Sequence, residues 1–169
     1  MNSVISKQIG SFTLIAIVLA IAFLLWSNNI FAGTPPANIG VTNGKLADCP
    51  ATPNCVNSQA PSTDSQHGLA KPLPWRIAPI PMSGDTPTTM AQLKQVIQGM
   101  PRTNIVKETN NYLYVEFSSK LMGFVDDVEF YLDNDTKMIQ VRSASRLGES
   151  DLGVNRQRIE EIRSLLATV

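Results

Sequence analysis

An uncharged apolar stretch, residues 9–26, constrains this chain more than any other feature of its sequence. It reads IGSFTLIAIVLAIAFLLW, and as a helix it would be about 27 Å long, close to the thickness of a bilayer core. Its flanking charges, Lys7 and the amino terminus, precede it, and the next basic residue is Lys45. The positive-inside rule therefore predicts a membrane anchor with a cytoplasmic N-terminus and a globular part across the membrane.

A cleaved signal peptide is the alternative, with cleavage after Ile30-Phe31-Ala32, although Ile is large for its position there. Both alternatives put the globular part outside the cytoplasm. Residues 27–48 are rich in Asn, Gly, Thr and Pro and are predicted to be a linker. The predicted division is therefore an anchor or signal over 1–26, a linker over 27–48 and one globular domain over 49–169.

Composition excludes several classes of function. The 169 residues carry a formal net charge of zero, which argues against nucleic-acid binding. The sequence has neither a glycine-rich phosphate loop nor a nucleophile elbow, so we predict no cofactor and no catalytic residue. Cys49 and Cys55 are expected to form a disulfide in an oxidising compartment. With His67 they would supply only three metal ligands, so we predict no metal site.

The globular part shows helical and strand periodicities in a clear order. Thr86-Pro87 is predicted to cap a helix that ends near Gly99, and Asp151 to open a second helix that runs to about Ala167. Between them, tight turns separate four alternating segments, residues 103–108, 112–118, 124–132 and 137–143. A proline-rich strap over 61–87, pinned by Trp75, precedes the first helix. This order predicts an α+β fold, an antiparallel four-stranded meander with two flanking helices on one face.

Five of the seven arginines fall within residues 142–163. On a helical wheel Arg156 and Arg163 lie on the solvent face with Glu160, and an Arg156–Glu160 pair is expected. Arg158 and Asn155 instead fall in the apolar arc, which is formed by Val154, Ile159, Ile162, Leu165, Leu166 and Val169. A buried guanidinium must be paired, because removing it from water without a partner costs on the order of several kcal/mol. An inward Arg158 is therefore the central prediction.

Acidic partners are available on the third predicted strand, where Asp126 shares one face with Val128 while Asp127 and Glu129 share the other. Arg142, on the next strand, can reach the same region, but hairpin register is not fixed by the sequence. The arrangement would be a structural ion-pair network, a pocket for an anion or polar ligand, or a surface for a partner protein. Asp151 would cap the last helix, which weighs against a strong anion site. The candidate ligand-binding or partner-binding residues are Asp126, Asp127, Glu129, Arg142, Arg146, Asn155 and Arg158.

Three blocks of sequence resemble the family known as domain of unknown function 1499. They are CPATPNCV at 49–56, GFVDDVEF at 123–130, and the stretch from Arg142 through Gly148 and Asp151 to Glu160. The resemblance implies an extracytoplasmic setting, because members commonly follow an export or anchor segment and plant relatives are associated with the thylakoid lumen. It implies no activity and no catalytic residue.

The function expected from these features is a membrane-tethered binding or assembly domain without catalysis, in a periplasm or thylakoid lumen, with a membrane protein as the expected kind of partner. Its polar site would combine Asp126, Arg142, Arg146, Asn155 and Arg158 and would bind a partner or a small ligand. The alternative is an enzyme for an anionic or acyl substrate, with Asp126 or Asp127 as general base and Arg158 or Arg142 orienting the substrate. An unpaired acid in an open cleft would favour the enzyme, and a closed, fully paired cluster would count against both the enzyme and a small-ligand pocket.

Overall fold

The computed structural model describes residues 13–23, 31–61 and 74–169. Residues 13–23 form helix α1. Within the described ranges, no helix combines the length and apolarity needed to cross a bilayer. The predicted anchor, residues 9–26, extends past α1 at both ends, and those extensions lie outside the described residues. So do residues 62–73 of the predicted strap, which include His67.

A six-stranded antiparallel sheet and two further helices make up the rest of the fold. The elements are β1 Cys55–Asn57, β2 Ile80–Pro81, α2 Thr86–Gly99, β3 Thr103–Glu108, β4 Tyr112–Ser118, β5 Val125–Asp133, β6 Met138–Ser145 and α3 Val154–Leu166. Strands β3 to β6 form the predicted meander, and the strand order is β1-β6-β5-β4-β3, with β2 also paired to β6. The α+β class is therefore confirmed.

The predicted number of four strands is wrong, because β1 and β2 add to the outer edge of β6. Cys55–Asn57 pairs with residues 142–144, and Ile80 and Pro81 pair with Ile139 and Met138. Segments of three and two residues are too short to show an alternating pattern, and Pro81 lowers the strand signal further. Edge pairing is nevertheless compatible with proline, whose missing N–H is not needed on the outer side.

The helix starts differ slightly from prediction. The N-cap of α2 is Asp85 rather than Thr86, and its Oδ1 accepts from Thr88 N at 2.9 Å. α3 begins at Val154 after Gly153, whose φ of 86° lies in the left-handed region. The N-cap position is therefore Gly153 rather than Asp151. Asp151, two residues earlier, still caps the first turn, since its carboxylate accepts from Gly153 N at 3.0 Å and from Asn155 N at 2.8 Å.

One hydrophobic core joins both helices to a single face of the sheet. Leu93 and Ile97 from α2 and Ile159 and Ile162 from α3 are fully buried. They belong to one cluster with the sheet residues Leu113, Val115, Val128, Phe130, Leu132, Ile139 and Val141. Val154, Leu165 and Val169 were expected in the buried arc, but this is wrong: they are exposed at 46%, 39% and 49%. The apolar stripe of α3 is therefore narrower than the wheel predicts, with Ile159 and Ile162 fully buried at its centre.

The other face of the sheet is covered by part of the predicted linker. We call residues 39–46 the cover segment. Its Leu46 is buried against Tyr112 and Tyr114, and Ile39 and Val41 pack beside it. The segment turns back on itself through a Thr42–Lys45 bridge with two backbone hydrogen bonds of 2.8 and 3.0 Å. The division of the chain at residue 48 stays a prediction, although these contacts bring part of the linker onto the sheet.

The disulfide between Cys49 and Cys55 is confirmed. It closes the loop between the cover segment and β1, and Cys55 itself is a strand residue opposite Ala144 of β6. The bond therefore ties residue 49, next to the cover segment, directly to the sheet edge.

Candidate functional site

Strand alternation separates the candidate acids onto opposite faces of the sheet. In β5, Asp126 lies opposite Phe117 and Ser145, on the face that carries the helices. Asp127 and Glu129 point the other way, towards the cover segment. The seven candidate residues therefore form two groups. With the neighbours that they contact, they make a helix-side cluster and a cover-side cluster. The helix-side cluster holds the candidates Asp126, Asn155 and Arg158 together with Ser143. The cover-side cluster holds the candidates Asp127, Glu129, Arg142 and Arg146 together with Tyr112, Tyr114 and Glu116.

Arg158 points inward, as the helical wheel predicts, and its partner is Asp126. The Arg158 Nη2 to Asp126 Oδ2 distance is 2.5 Å, and the two side chains are only 11% and 12% exposed. Arg158 Nη1 also donates to Asn155 Oδ1 at 2.7 Å and to Ser143 Oγ at 3.1 Å. The guanidinium lies 4.8 Å from the centre of the Phe117 ring, a cation–π distance. Arg158 thus links α3 to β4, β5 and β6.

Asn155 is fully buried, and its amide uses all of its hydrogen-bonding capacity. Its Nδ2 donates to Asn54 O and to Ser145 Oγ, both at 3.0 Å. Its Oδ1 accepts from Ser143 Oγ at 2.5 Å and from Arg158. Because no donor or acceptor of Asn155 is left over, this residue joins α3, β6 and the start of β1 rather than a ligand.

Arg146 organises one half of the cover-side cluster. Its Nε lies 3.1 and 3.0 Å from the two Asp127 oxygens, and its Nη2 donates to Asp127, Tyr114 and Glu116. Tyr114 OH donates to Asp127 Oδ1 at 2.5 Å. Burial, reinforced by the hydrogen bond to Asp127, raises the pKa of Tyr114. Burial opposes charge on Glu116, but hydrogen bonds from Arg146 and Asn104 outweigh it and lower the pKa of that carboxyl.

Glu129 organises the other half and is fully buried. Its carboxylate accepts from Arg142 Nη1 at 3.1 Å, from Tyr112 OH at 2.8 Å and from Gly40 N of the cover segment at 2.7 Å. Burial and the nearby Glu129 charge raise the pKa of Tyr112. Arg142 Nε has no hydrogen-bond partner among the described residues. Three donors on one carboxylate explain how a buried charge is tolerated here.

A cleft of about 260 Å³ opens beside the helix-side cluster. Of the seven candidate residues, Asp126 and Arg158 line it. The remaining lining comes from the end of α2, the end of β4 and the exposed side of α3: Met100, Pro101, Arg102, Phe117, Ser118, Ser119, Val154, Gln157 and Glu161. The Asp126–Arg158 pair is therefore the part of the predicted site that reaches an open surface, and Arg142 and Arg146 belong to the opposite face.

Several residues of these clusters were not predicted. Tyr112, Tyr114 and Glu116 alternate along β4, opposite Tyr131, Glu129 and Asp127 of β5, and this alternation was the available signal for a polar sheet face. Gln157 and Glu161, which are one turn apart on α3 and line the cleft, were not predicted either. The other two arginines of α3 were assigned to solvent, yet Arg163 donates to the carbonyls of Ala78 and Pro79, and Arg156 to those of Pro74 and Arg76.

The Arg156–Glu160 pair expected on α3 is not the one that forms, since Glu160 pairs with Arg163 at 2.8 Å. Arg156 instead donates to the strap carbonyls of Pro74 and Arg76. Within residues 13–23, 31–61 and 74–169, no group of three or more His, Cys, Asp or Glu side chains converges to hold a metal ion. The carboxylates of Asp126, Asp127 and Glu129 are each bound by an arginine.

Comparison with known protein families identifies the family of this chain. No curated protein matches the chain. A family model described as a protein of unknown function, DUF1499, matches residues 45–166. The matched range contains both polar clusters, the cleft, the disulfide and every strand and helix from β1 to α3. The chain therefore belongs to the DUF1499 family.

Proposed function

We propose that this protein is a membrane-anchored, extracytoplasmic binding domain that acts without catalysis. The observation that supports this proposal best is the pairing of its buried acids. A general base must be free to accept a proton from a bound substrate, whereas Asp126, Asp127 and Glu129 are each held by an arginine. The enzyme alternative would require one of these pairs to break, and it has no other support from the described residues.

The location rests on sequence and on the disulfide. The apolar residues 9–26 and the position of Lys7 favour an anchor with an inside N-terminus, and export after cleavage is the alternative. The Cys49–Cys55 disulfide is typical of an oxidising compartment. A periplasm and a thylakoid lumen both fit. Protease added to intact vesicles should digest the domain where it faces the outside and leave it intact where it faces the vesicle interior. Carbonate extraction should leave an anchored chain in the membrane.

The cleft beside Asp126 and Arg158 is the binding surface that we propose for a partner. Its lining mixes the apolar Met100 and Phe117 with the charged Arg102 and Glu161. Protein interfaces commonly combine an apolar centre with a polar rim, so this lining suits a segment of a membrane protein better than a small anion. Because Asp126 and Arg158 neutralise each other, they would form a rigid wall of the cleft rather than a charged site for a ligand of opposite sign.

Affinity purification of the full chain from its own membranes tests this proposal. Glu161→Lys reverses one charge in the cleft, and Asp135→Lys makes the same charge change in the exposed β5–β6 turn. We expect partners of the wild type to be retained by Asp135→Lys and lost by Glu161→Lys. Identical partners for all three chains, with equal amounts of folded protein, would contradict a role for the cleft.

A further inference from the structure

Two loops leave the sheet at the same end and carry exposed apolar side chains at their tips. The β4–β5 loop, residues 119–124, and the β6–α3 loop, residues 146–153, are neighbours because Ser118 pairs with Val125 and Ser145 pairs with Asp126. We call these two loops the loop end. Their tips expose Leu121 at 92% and Leu152 at 94%, with Met122 at 51% and Leu147 at 40%. These four large apolar side chains lie in two neighbouring loops, which makes this end of the sheet a candidate interaction surface.

The chain enters the domain at this same end. The Phe31 ring lies 5.1 Å from the ring of Phe124, at the base of the β4–β5 loop. Two residues later, Gly33 approaches the β6–α3 loop so closely that an added Cβ would lie 2.8 Å from Arg146 Cβ. Its φ of +65° is also one that glycine adopts easily. Residues 31–33 are therefore packed against both loops.

The predicted anchor ends only a few residues earlier. An extended chain advances at most about 3.5 Å per residue. The step from Trp26 to Phe31 is therefore no longer than roughly 17 Å. If residues 9–26 span the bilayer, as the proposed function states, the loop end must lie beside the outer membrane surface. No similar constraint applies to the opposite end of the sheet, where the β3–β4 and β5–β6 turns lie.

We infer that the loop end docks on the lipid bilayer, with Leu121, Met122 and Leu152 in contact with the interfacial region. Lys120, next to the β4–β5 tip, is exposed and can keep its ammonium among headgroup phosphates while its stem follows the apolar surface. The docked domain would have a fixed orientation, with the loop end of the sheet facing the membrane and the opposite end facing away from it. The cleft, which includes Ser118, Ser119 and Asp126 of this end, would open close to the membrane surface.

Site-directed spin labelling of the full chain tests this inference. Both native cysteines are disulfide-bonded, so an introduced cysteine is the single free thiol. Nitroxide labels are attached to Leu121→Cys and Leu152→Cys at the loop end, and to Asp135→Cys at the opposite end as the matched control. A fourth label on Val18→Cys reports on the predicted anchor. Each variant is reconstituted into vesicles of phosphatidylcholine with a minor share of phosphatidylglycerol, and collisions with oxygen and with a water-soluble nickel complex are measured.

We expect the oxygen-to-nickel accessibility ratio at positions 121 and 152 to exceed that at 135 several-fold. A ratio at 121 and 152 equal to that at 135 would overturn the inference, and so would shielding from both reagents, which indicates contact with protein. The Val18 label decides the anchor separately. A lipid-exposed Val18 label with water-exposed loop labels would refute bilayer docking alone, whereas a water-exposed Val18 label would refute the anchor.

Discussion

At the scale of single residues, Arg158 has the most consequential position in the molecule. Its guanidinium is bound by Asp126, Asn155 and Ser143 and lies over the Phe117 ring. Such a pair contributes little net stability compared with an apolar pair, yet losing one partner leaves a desolvated charge behind. The same residue also lines the cleft, so its stability effect has to be measured before any effect on binding is interpreted.

Arg158→Ala should lower the free energy of unfolding by about 3 kcal/mol, because Asp126 would be left buried and unpaired. Urea denaturation followed by circular dichroism measures this change. Lys94→Ala, which removes a half-exposed pair with Glu108, should cost no more than about 1 kcal/mol. Replacing both partners, as in Arg158→Met with Asp126→Leu, should recover most of the loss. Equal, small effects for Arg158→Ala and Lys94→Ala would show that Arg158 is solvated.

The pH dependence of stability should report on Glu116. Arg146 and Asn104 hold its folded pKa below the ordinary value of 4.5, so the ionised form stabilises the fold fully above about pH 4.5. That contribution is lost as the pH falls through the folded pKa. The difference in unfolding free energy between wild type and Glu116→Gln should therefore be largest near neutral pH and shrink in acid. Glu149→Gln, an exposed change of equal charge, corrects for the general effect of acid.

At the scale of elements, α3 depends on polar contacts at its start and along both sides. Asp151 caps it, Asn155 and Arg158 attach it to the sheet, and Arg156 and Arg163 hold strap carbonyls. This distribution explains why five arginines are concentrated in residues 142–163. They join separate parts of one domain, and the two on the outer side of α3 fix a segment that has little regular structure of its own.

Asp151→Ala should destabilise the protein by about 1 kcal/mol, the usual cost of losing an N-terminal cap. Asp151→Asn retains an acceptor for Asn155 N and should lose only a fraction of that amount. Thermal or urea unfolding of the two variants, side by side, measures the difference. If Asn and Ala are equally destabilising, the carboxylate acts through its charge at the helix start rather than through its hydrogen bonds.

How far these elements could be predicted follows from their length and periodicity. The helix over 86–99 and strands β3 to β6 show clear periods and are bounded by tight turns, so their ends were predicted to within one or two residues. β1 and β2 were missed because pairing with β6, rather than local pattern, makes them strands. The inward direction of Arg158 was predictable from its helical position. The separation of Asp126 from Arg142 and Arg146 was not, because it depends on hairpin register.

At the scale of the whole molecule, the domain has a layer on each side of its sheet. Helices α2 and α3 cover one face, and the cover segment covers the other, where Gly40 N reaches the buried Glu129 and Leu46 packs on two tyrosines. The family match begins at residue 45, so most of this second layer precedes the matched region. The cover segment therefore adds one hydrogen bond to the buried Glu129 and apolar packing on the two tyrosines.

A chain that begins at residue 49 should be markedly less stable than one that begins at residue 31. The shorter chain loses the hydrogen bond from Gly40 N to Glu129 and exposes Tyr112 and Tyr114. Leu46→Ala in the longer chain isolates the apolar part of this effect and should cost about 2 kcal/mol. Comparing urea midpoints of the three proteins tests the expectation. Equal stability of the two chain lengths would mean that the cover segment does not stabilise the sheet.

The alternation of charge along β5 has a consequence for how the sheet assembles. If β5 paired one residue out of register, Asp127 and Glu129 would point into the hydrophobic core beneath the helices, away from Arg146 and Arg142. Asp126 would at the same time lose its contact with Arg158. A sheet mispaired by one residue would thus carry unpaired charges on both faces. The acids of β5 therefore disfavour odd-numbered shifts of strand register during folding, whether or not the finished protein ever binds a ligand.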